Sequence, residues 1–166
     1  MNVRTLVILL GIGGALLGAA WYLFRPERAF IDKRVDEALP SSVSRAASAS
    51  NEAAPIARGR FHSVAHETRG TATIYRLADG RRVLRFSEFE TSNGPDVQVY
   101  LVAAPDSNDN DTVTKAGFVH VAALKGNVGD QNYDLPADLD LAKYRSVTIW
   151  CRRFAVNFGT APLAAP

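Results

Sequence analysis

The chain has 166 residues, 47% apolar and 22% charged, and its 19 Lys+Arg and 17 Asp+Glu give a formal charge of +2. These values suit one ordinary globular domain and exclude wholesale disorder. From Ala57 onward 13 basic residues face 12 acidic ones with no basic stripe, which argues against a nucleic-acid partner. The single cysteine, Cys151, excludes an intrachain disulfide and any zinc site built on two or more cysteines.

Residues 5–24 (TLVILLGIGGALLGAAWYLF) carry no charge. A helix of this length, at ~1.5 Å per residue, spans ~30 Å, the thickness of a hydrocarbon core. Trp21 and Tyr22 stand at its C-terminal edge, where amphipathic rings favour the headgroup level. Residues 1–24 are therefore expected to be an N-terminal transmembrane anchor. Gly18-Ala19-Ala20 would suit a signal peptidase, but the apolar run continues beyond it, which favours an uncleaved signal anchor. Gly14 and Gly18 form G-x-x-x-G, a spacing that permits close helix pairing. Arg25, Arg28, Lys33 and Arg34 follow the run and only Arg4 precedes it. Read alone, that asymmetry places the C-terminal part in the cytoplasm.

Residues 25–56 read as a juxtamembrane segment and linker. Phe30, Ile31, Val35 and Leu39 recur at loosely helical spacing. The following stretch SSVSRAASASNEAAP is rich in Ser and Ala without an apolar period, as a flexible tether would be.

Residues 57–166 carry strand signals. TATIYRL (71–77) and RVLRF (82–86) flank Asp79-Gly80, a pair that favours a tight hairpin turn. VQVYLV (97–102) follows the breaker Asn93-Gly94-Pro95-Asp96. Residues 118–122, 131–135, 146–151 and 154–158 complete about eight short strands. The expected fold is all-β, an antiparallel sandwich or barrel-like domain. Its expected core includes Val97, Val99, Leu101, Val147, Ile149, Phe154, Val156 and Phe158. Gly94 precedes a proline and is expected to need a tight turn or a positive φ.

No hydrolase signature, Walker loop or dinucleotide-binding glycine motif is present, so enzyme status stays open. Val147, Ile149 and Cys151 share one strand face, whereas Phe154, Val156 and Phe158 carry the pattern onward one residue out of phase. A bulge at Cys151-Arg152-Arg153 would produce that slip and re-aim the thiol. Arg152 and Arg153 would favour thiolate, making a nucleophile, redox centre or ligand. The competing reading is a buried cysteine acting as a small hydrophobe. His62 and His66 share a face if extended and could join Cys151 at a metal or haem site, since imidazole and thiolate both ligate haem iron. The bland alternative is two polar histidines at a strand edge. His120 has no evident partner. The acidic run 106–111 lacks the glycine and glutamate of a calcium-binding loop and reads as a solvated turn.

Four segments resemble the DM13 domain family: residues 59–80, 83–101, 126–151 and 152–163. The most specific pieces are Asn93-Gly94-Pro95-Asp96, Gly129-Asp130-Gln131-Asn132-Tyr133 and Ile149-Trp150-Cys151-x-x-Phe154. The resemblance implies an exported β-sandwich-like module displayed at the cell surface, with the cysteine at position 151 as a redox group. That cysteine would be a free thiol or a ligand to a prosthetic group such as haem, acting with an unknown electron-transfer partner. The resemblance turns the expected orientation towards an extracytoplasmic C-terminal domain. A non-catalytic binding or adhesion module is the alternative function.

Overall fold

The computed structural model describes residues 2–24, 31–40 and 53–166. It divides into two compact units, Met1–Ile31 and Asp32–Pro166.

The first unit is helix α1, Val3–Phe24, of 22 residues. Asn2 begins it: its side-chain oxygen accepts from the Thr5 amide at 3.1 Å, satisfying an orphan donor of the first turn. Val7, Ile8, Leu10, Leu16, Leu17 and Trp21 are exposed along it. Among the described residues no helix is long and apolar enough to cross a membrane. The side chains of Leu9, Ala20, Leu23 and Phe24 lie outside that description.

The second unit is built from two antiparallel sheets. Its strands are β1 (Ala54–Arg60), β2 (His62–Ser63), β3 (Thr68–Arg76), β4 (Arg82–Thr91), β5 (Val97–Val102), β6 (Phe118–Ala123), β7 (Val128–Leu135), β8 (Ser146–Cys151) and β9 (Val156–Pro162). One sheet has the order β1-β3-β4-β7 and the other β2-β9-β8-β5-β6. A short helix α2, Asn110–Ala116, lies between β5 and β6. The sandwich expected from the alternating sequence is therefore present. The β3–β4 hairpin turns at Asp79-Gly80, with the Leu77 amide donating to the Arg81 carbonyl at 2.8 Å.

Period-two alternation fills the core. Val99 and Leu101 of β5, Val147, Ile149 and Cys151 of β8, and Phe158 of β9 meet Ile74, Leu84, Phe86 and Phe89 of the other sheet. Phe61 stands edge-on to Phe86 and Phe89, at ring separations of 5.0 and 5.2 Å. Each such fully buried side chain contributes about 1.5–3 kcal/mol. A second cluster lies on the other face of β5 and β8, where Tyr100, Val102 and Trp150 pack with Val113 of α2.

Four expectations need correction. The spacing of Val35 and Leu39 does not give a helix: residues 32–40 include no helical residue. Arg34 instead bridges Val128 in parallel sense, and the Val35 and Glu37 amides donate to the Val128 and Asp130 carbonyls at 2.9 Å each. The Ser/Ala-rich stretch falls mostly on residues 41–52, outside the described ones, and β1 begins already at Ala54.

Phe154 is not core but 66% exposed. The phase slip has a different cause from a bulge at Cys151. Residues 152–155 form the turn of the β8–β9 hairpin, with Ala155 at φ 52, and Phe154 sits on that turn. The register shift falls further along, where Ile149 pairs with Gly159 and Trp150 with Asn157, leaving Phe158 as the extra residue.

Gly94 does not have a positive φ. Its requirement is space: a Cβ there would meet Val97 Cγ2 at 2.7 Å and Phe158 Cζ at 3.0 Å.

Candidate functional site

Cys151 closes β8 opposite Val97 of β5 and Val156 of β9. Because Val147 and Ile149 point into the sandwich, position 151 does too, and Cys151 is 0% exposed. The expected exposure of the thiol is not found. The neighbouring cations are directed elsewhere. Arg152 Nε and Nη2 donate to the Asp96 carboxylate at 2.8 and 3.3 Å, and the Arg152 amide donates to the Asp96 carbonyl at 2.9 Å. That carboxylate raises the Arg152 pKa through its hydrogen bonds and its charge. Arg153 is exposed on the turn.

The two candidate histidines have contacts of their own. His62 Nε2 lies 2.8 Å from Asp106 Oδ1, on the short strand β2 that pairs with β9. His66 stacks its ring on Phe158 at 3.9 Å between centroids. Among the described residues no group of three His, Cys, Asp or Glu is placed to hold a metal ion. The acidic run is also occupied: Asp109 caps α2 by accepting from the Thr112 amide at 2.6 Å, and Asp111 pairs with Lys115 at 2.7 Å.

Cavities of about 280, 340 and 480 Å³ open on this unit, and none is lined by Cys151, His62 or His66. A sulfur at zero exposure within the core cannot reach an iron without opening the sandwich. The residues present do not fit a haem ligated through Cys151.

Sequence reasoning missed the chain of side chains that starts next to the thiol. Trp150 points to the opposite face of β8 from Cys151 and stacks near Tyr100, 6.3 Å between rings. Tyr100 stacks parallel on Phe118 at 4.3 Å, and Phe118 is 43% exposed. His120 stands edge-on to Tyr100 at 5.6 Å. Its partner is Gln98, at 2.8 Å, and Gln98 donates to Asp96 at 2.6 Å. A polar line His120–Gln98–Asp96–Arg152 thus runs beside the ring stack. Burial, and then the nearby Asp96 charge, raise the Tyr100 pKa against the lowering effect of Arg152, so the ring stays a neutral phenol at ordinary pH. The signal for this arrangement was the alternation Gln98, Tyr100, Val102. Its partners on β6 and β8 depend on strand order, which no single segment carries.

An antiparallel sandwich with a cysteine-bearing central strand is the class this geometry defines. The family model for electron transfer DM13 matches residues 60–163, and the chain belongs to the DM13 family. Neither the curated proteins nor the solved structures compared with it include a match.

Proposed function

We propose that this chain is a membrane-tethered DM13 module in electron transfer, with Cys151 as its redox group. A one-electron acceptor on a partner protein takes an electron from the thiol, whose proton passes to water as the strand end opens, and reduction returns both. The supporting observation is the end of β8. There the thiol enters the core, and its chain neighbour Trp150 begins a ring stack that ends at the half-exposed Phe118. Rings in contact shorten the gap an electron must cross between the strand and a partner seated over Phe118. Burial also protects the sulfur from stepwise oxidation to sulfenic and sulfinic acids, which follows exposure. Helix α1 would be the single-pass anchor, supported by its uncharged run and exposed apolar side chains. The C-terminal domain would be extracytoplasmic, as the resemblance implies.

The test is voltammetry of the full chain in lipid nanodiscs. The proposal expects a wave that Cys151→Ala abolishes while thermal unfolding remains cooperative. A wave unchanged by that substitution removes Cys151 from the role. No wave at all would put the second reading first.

That second reading is a non-catalytic binding or adhesion module. It is favoured by the same zero exposure, and by the fact that among the described residues no hydrogen bond involves the Cys151 sulfur.

A further inference from the structure

The edge strand β7 carries a cover of its own chain. Residues 32–40 lie outside the family match, which begins at residue 60, yet they dock on residues 126–132 inside it. Val35, Glu37 and Leu39 are half-buried, whereas Arg34, Asp36 and Ala38 are exposed. That period of two is the mark of a strand added to a sheet edge.

The acceptor is shaped for the approach. A Cβ on Gly126 would meet the Lys33 carbonyl oxygen at 2.3 Å, and one on Gly129 would meet the Val35 carbonyl oxygen at 2.2 Å. One side chain of the added strand is read in detail. Lys125 Nζ donates to both Glu37 carboxylate oxygens at 2.8 and 2.9 Å, and the Asn132 amide donates to one of them at 2.8 Å. Arg85 donates to the Glu37 carbonyl at 2.8 Å, and Asn132 Nδ2 to the Ala38 carbonyl at 2.8 Å. The outward Arg34 and Asp36 pair with each other. The groove therefore reads a backbone, one carboxylate and the apolar positions on either side of it.

We propose that the β7 edge is a strand-acceptor site for an extended peptide of pattern apolar-x-Glu-x-apolar, which this chain fills in cis with residues 32–40 and which the same segment of a second copy fills in trans. The covalently linked strand holds the site at high effective concentration, so a competitor enters only when that strand leaves. The site does not depend on the redox reading.

The probe is a fluorophore-labelled peptide DKRVDEALP, the sequence of residues 32–40, titrated into the full chain in detergent and followed by anisotropy. In a Val35→Asp, Glu37→Lys variant the cis strand loses both anchors. That variant is expected to bind the peptide at least about tenfold more tightly than the unmodified chain. Adding Lys125→Met should weaken this binding by about tenfold, because the carboxylate pocket loses its charge-assisted bonds. A variant that unfolds cooperatively yet fails to bind the peptide overturns the proposal. Binding unaffected by Lys125→Met overturns it too. Hydrogen exchange on the unmodified chain is a separate check that needs no variant. The Val35 and Glu37 amides should be at least about tenfold less protected than those of β4, since the added strand opens by itself. Equal protection would make it an inseparable member of the sheet.

Discussion

Glu37 and Lys125 meet across the edge of the first sheet, the lysine ammonium on both carboxylate oxygens at 2.8 and 2.9 Å. Lys125 Nζ also donates to the Asn132 carbonyl at 2.7 Å, so the pair ties residues 32–40 to β7. The folded unit therefore begins near Asp32 and not after the Ser/Ala-rich stretch. A chain starting at Asn51 lacks this strand and leaves the β7 edge uncovered. With several net hydrogen bonds of about 0.5–1.5 kcal/mol each missing, it should unfold at lower denaturant than a chain starting at Asp32. Equal midpoints would mean that the added strand stabilises nothing.

Gly129 tests the same contact from the other side. It has φ 101, and a Cβ would meet the Val35 carbonyl oxygen at 2.2 Å. Gly129→Ala should destabilise by about 1–3 kcal/mol through left-handed strain, with the lost docking in addition. Chemical denaturation measures the total. A Gly129→Ala chain whose Val35 amide keeps its full exchange protection would contradict the close approach.

Acid should loosen the added strand. Burial pushes the Glu37 carboxyl up, but the Lys125 hydrogen bond, the Asn132 amide and the charges of Lys125 and Arg85 outweigh it and hold the pKa below its ordinary 4.5. Asp130 of β7, whose carbonyl accepts from the Glu37 amide, pairs through its carboxylate with Arg85 at 2.5 Å, and Asp134 of β7 lines the same cavity as Glu37. A carboxylate with a lowered folded pKa contributes its stability above the unfolded value and loses it as pH falls through the folded one. The unmodified chain should thus be more stable than Glu37→Gln at pH 7. The difference should shrink below a pH of about 4.5 and vanish at lower pH. A difference that is constant with pH would show that the carboxylate charge plays no part.

Gly94→Ala should destabilise by about 1–3 kcal/mol through overpacking. The neighbours that must give way are Val97, at the start of β5, and the Phe158 ring, both against the core. Combining Gly94→Ala with Val97→Ala should recover part of the loss. An unchanged double variant would point to the backbone instead.

The fold was legible where one strand carries its own signal. Val97 to Val102 and Ser146 to Cys151 are short apolar-rich runs of strand length, and Asp79-Gly80 marks its hairpin by turn chemistry alone. Residues 32–40 were misread because Val35, Glu37 and Leu39 form a strand face with a glutamate in the middle. A charged residue at an inward position hides the period of two, and the apolar residues left over mimic a helix. Phe154 was misread because an apolar residue on a four-residue turn continues a pattern that the chain has already left. The cysteine was legible as a position but not in its surroundings. Arg152 is adjacent in sequence, yet its partner Asp96 lies 56 residues away. The stack of Trp150 on Tyr100 and Phe118 needs β6, β5 and β8 side by side, an order no local spacing records.

Burial sets the chemistry of Cys151 towards ordinary thiol reagents. In the native full chain its alkylation should be limited by opening of the sandwich, and it should reach the rate of a free thiol only in denaturant. Cys151→Ser should destabilise more than Cys151→Ala, because a hydroxyl without a partner in the core costs about 1–3 kcal/mol. Rapid native alkylation would mean that the strand end opens far more readily than its packing implies.

The ring stack makes its own prediction, which rests on the proposed electron transfer. Phe118 ends the stack at the surface, 43% exposed, while Phe154 is 66% exposed on the β8–β9 turn with no ring contact found among the described residues. Phe118→Ala removes the outermost ring without touching the environment of the thiol. It should slow electron exchange with an electrode or a small soluble oxidant and leave the midpoint potential where it was. Phe154→Ala removes a larger area of exposed aromatic surface away from the stack and should change neither quantity. Voltammetry at increasing scan rate separates the rate from the potential in both variants. If the two substitutions slow exchange equally, general surface hydrophobicity governs contact with the oxidant, and the Trp150–Tyr100–Phe118 stack is only packing.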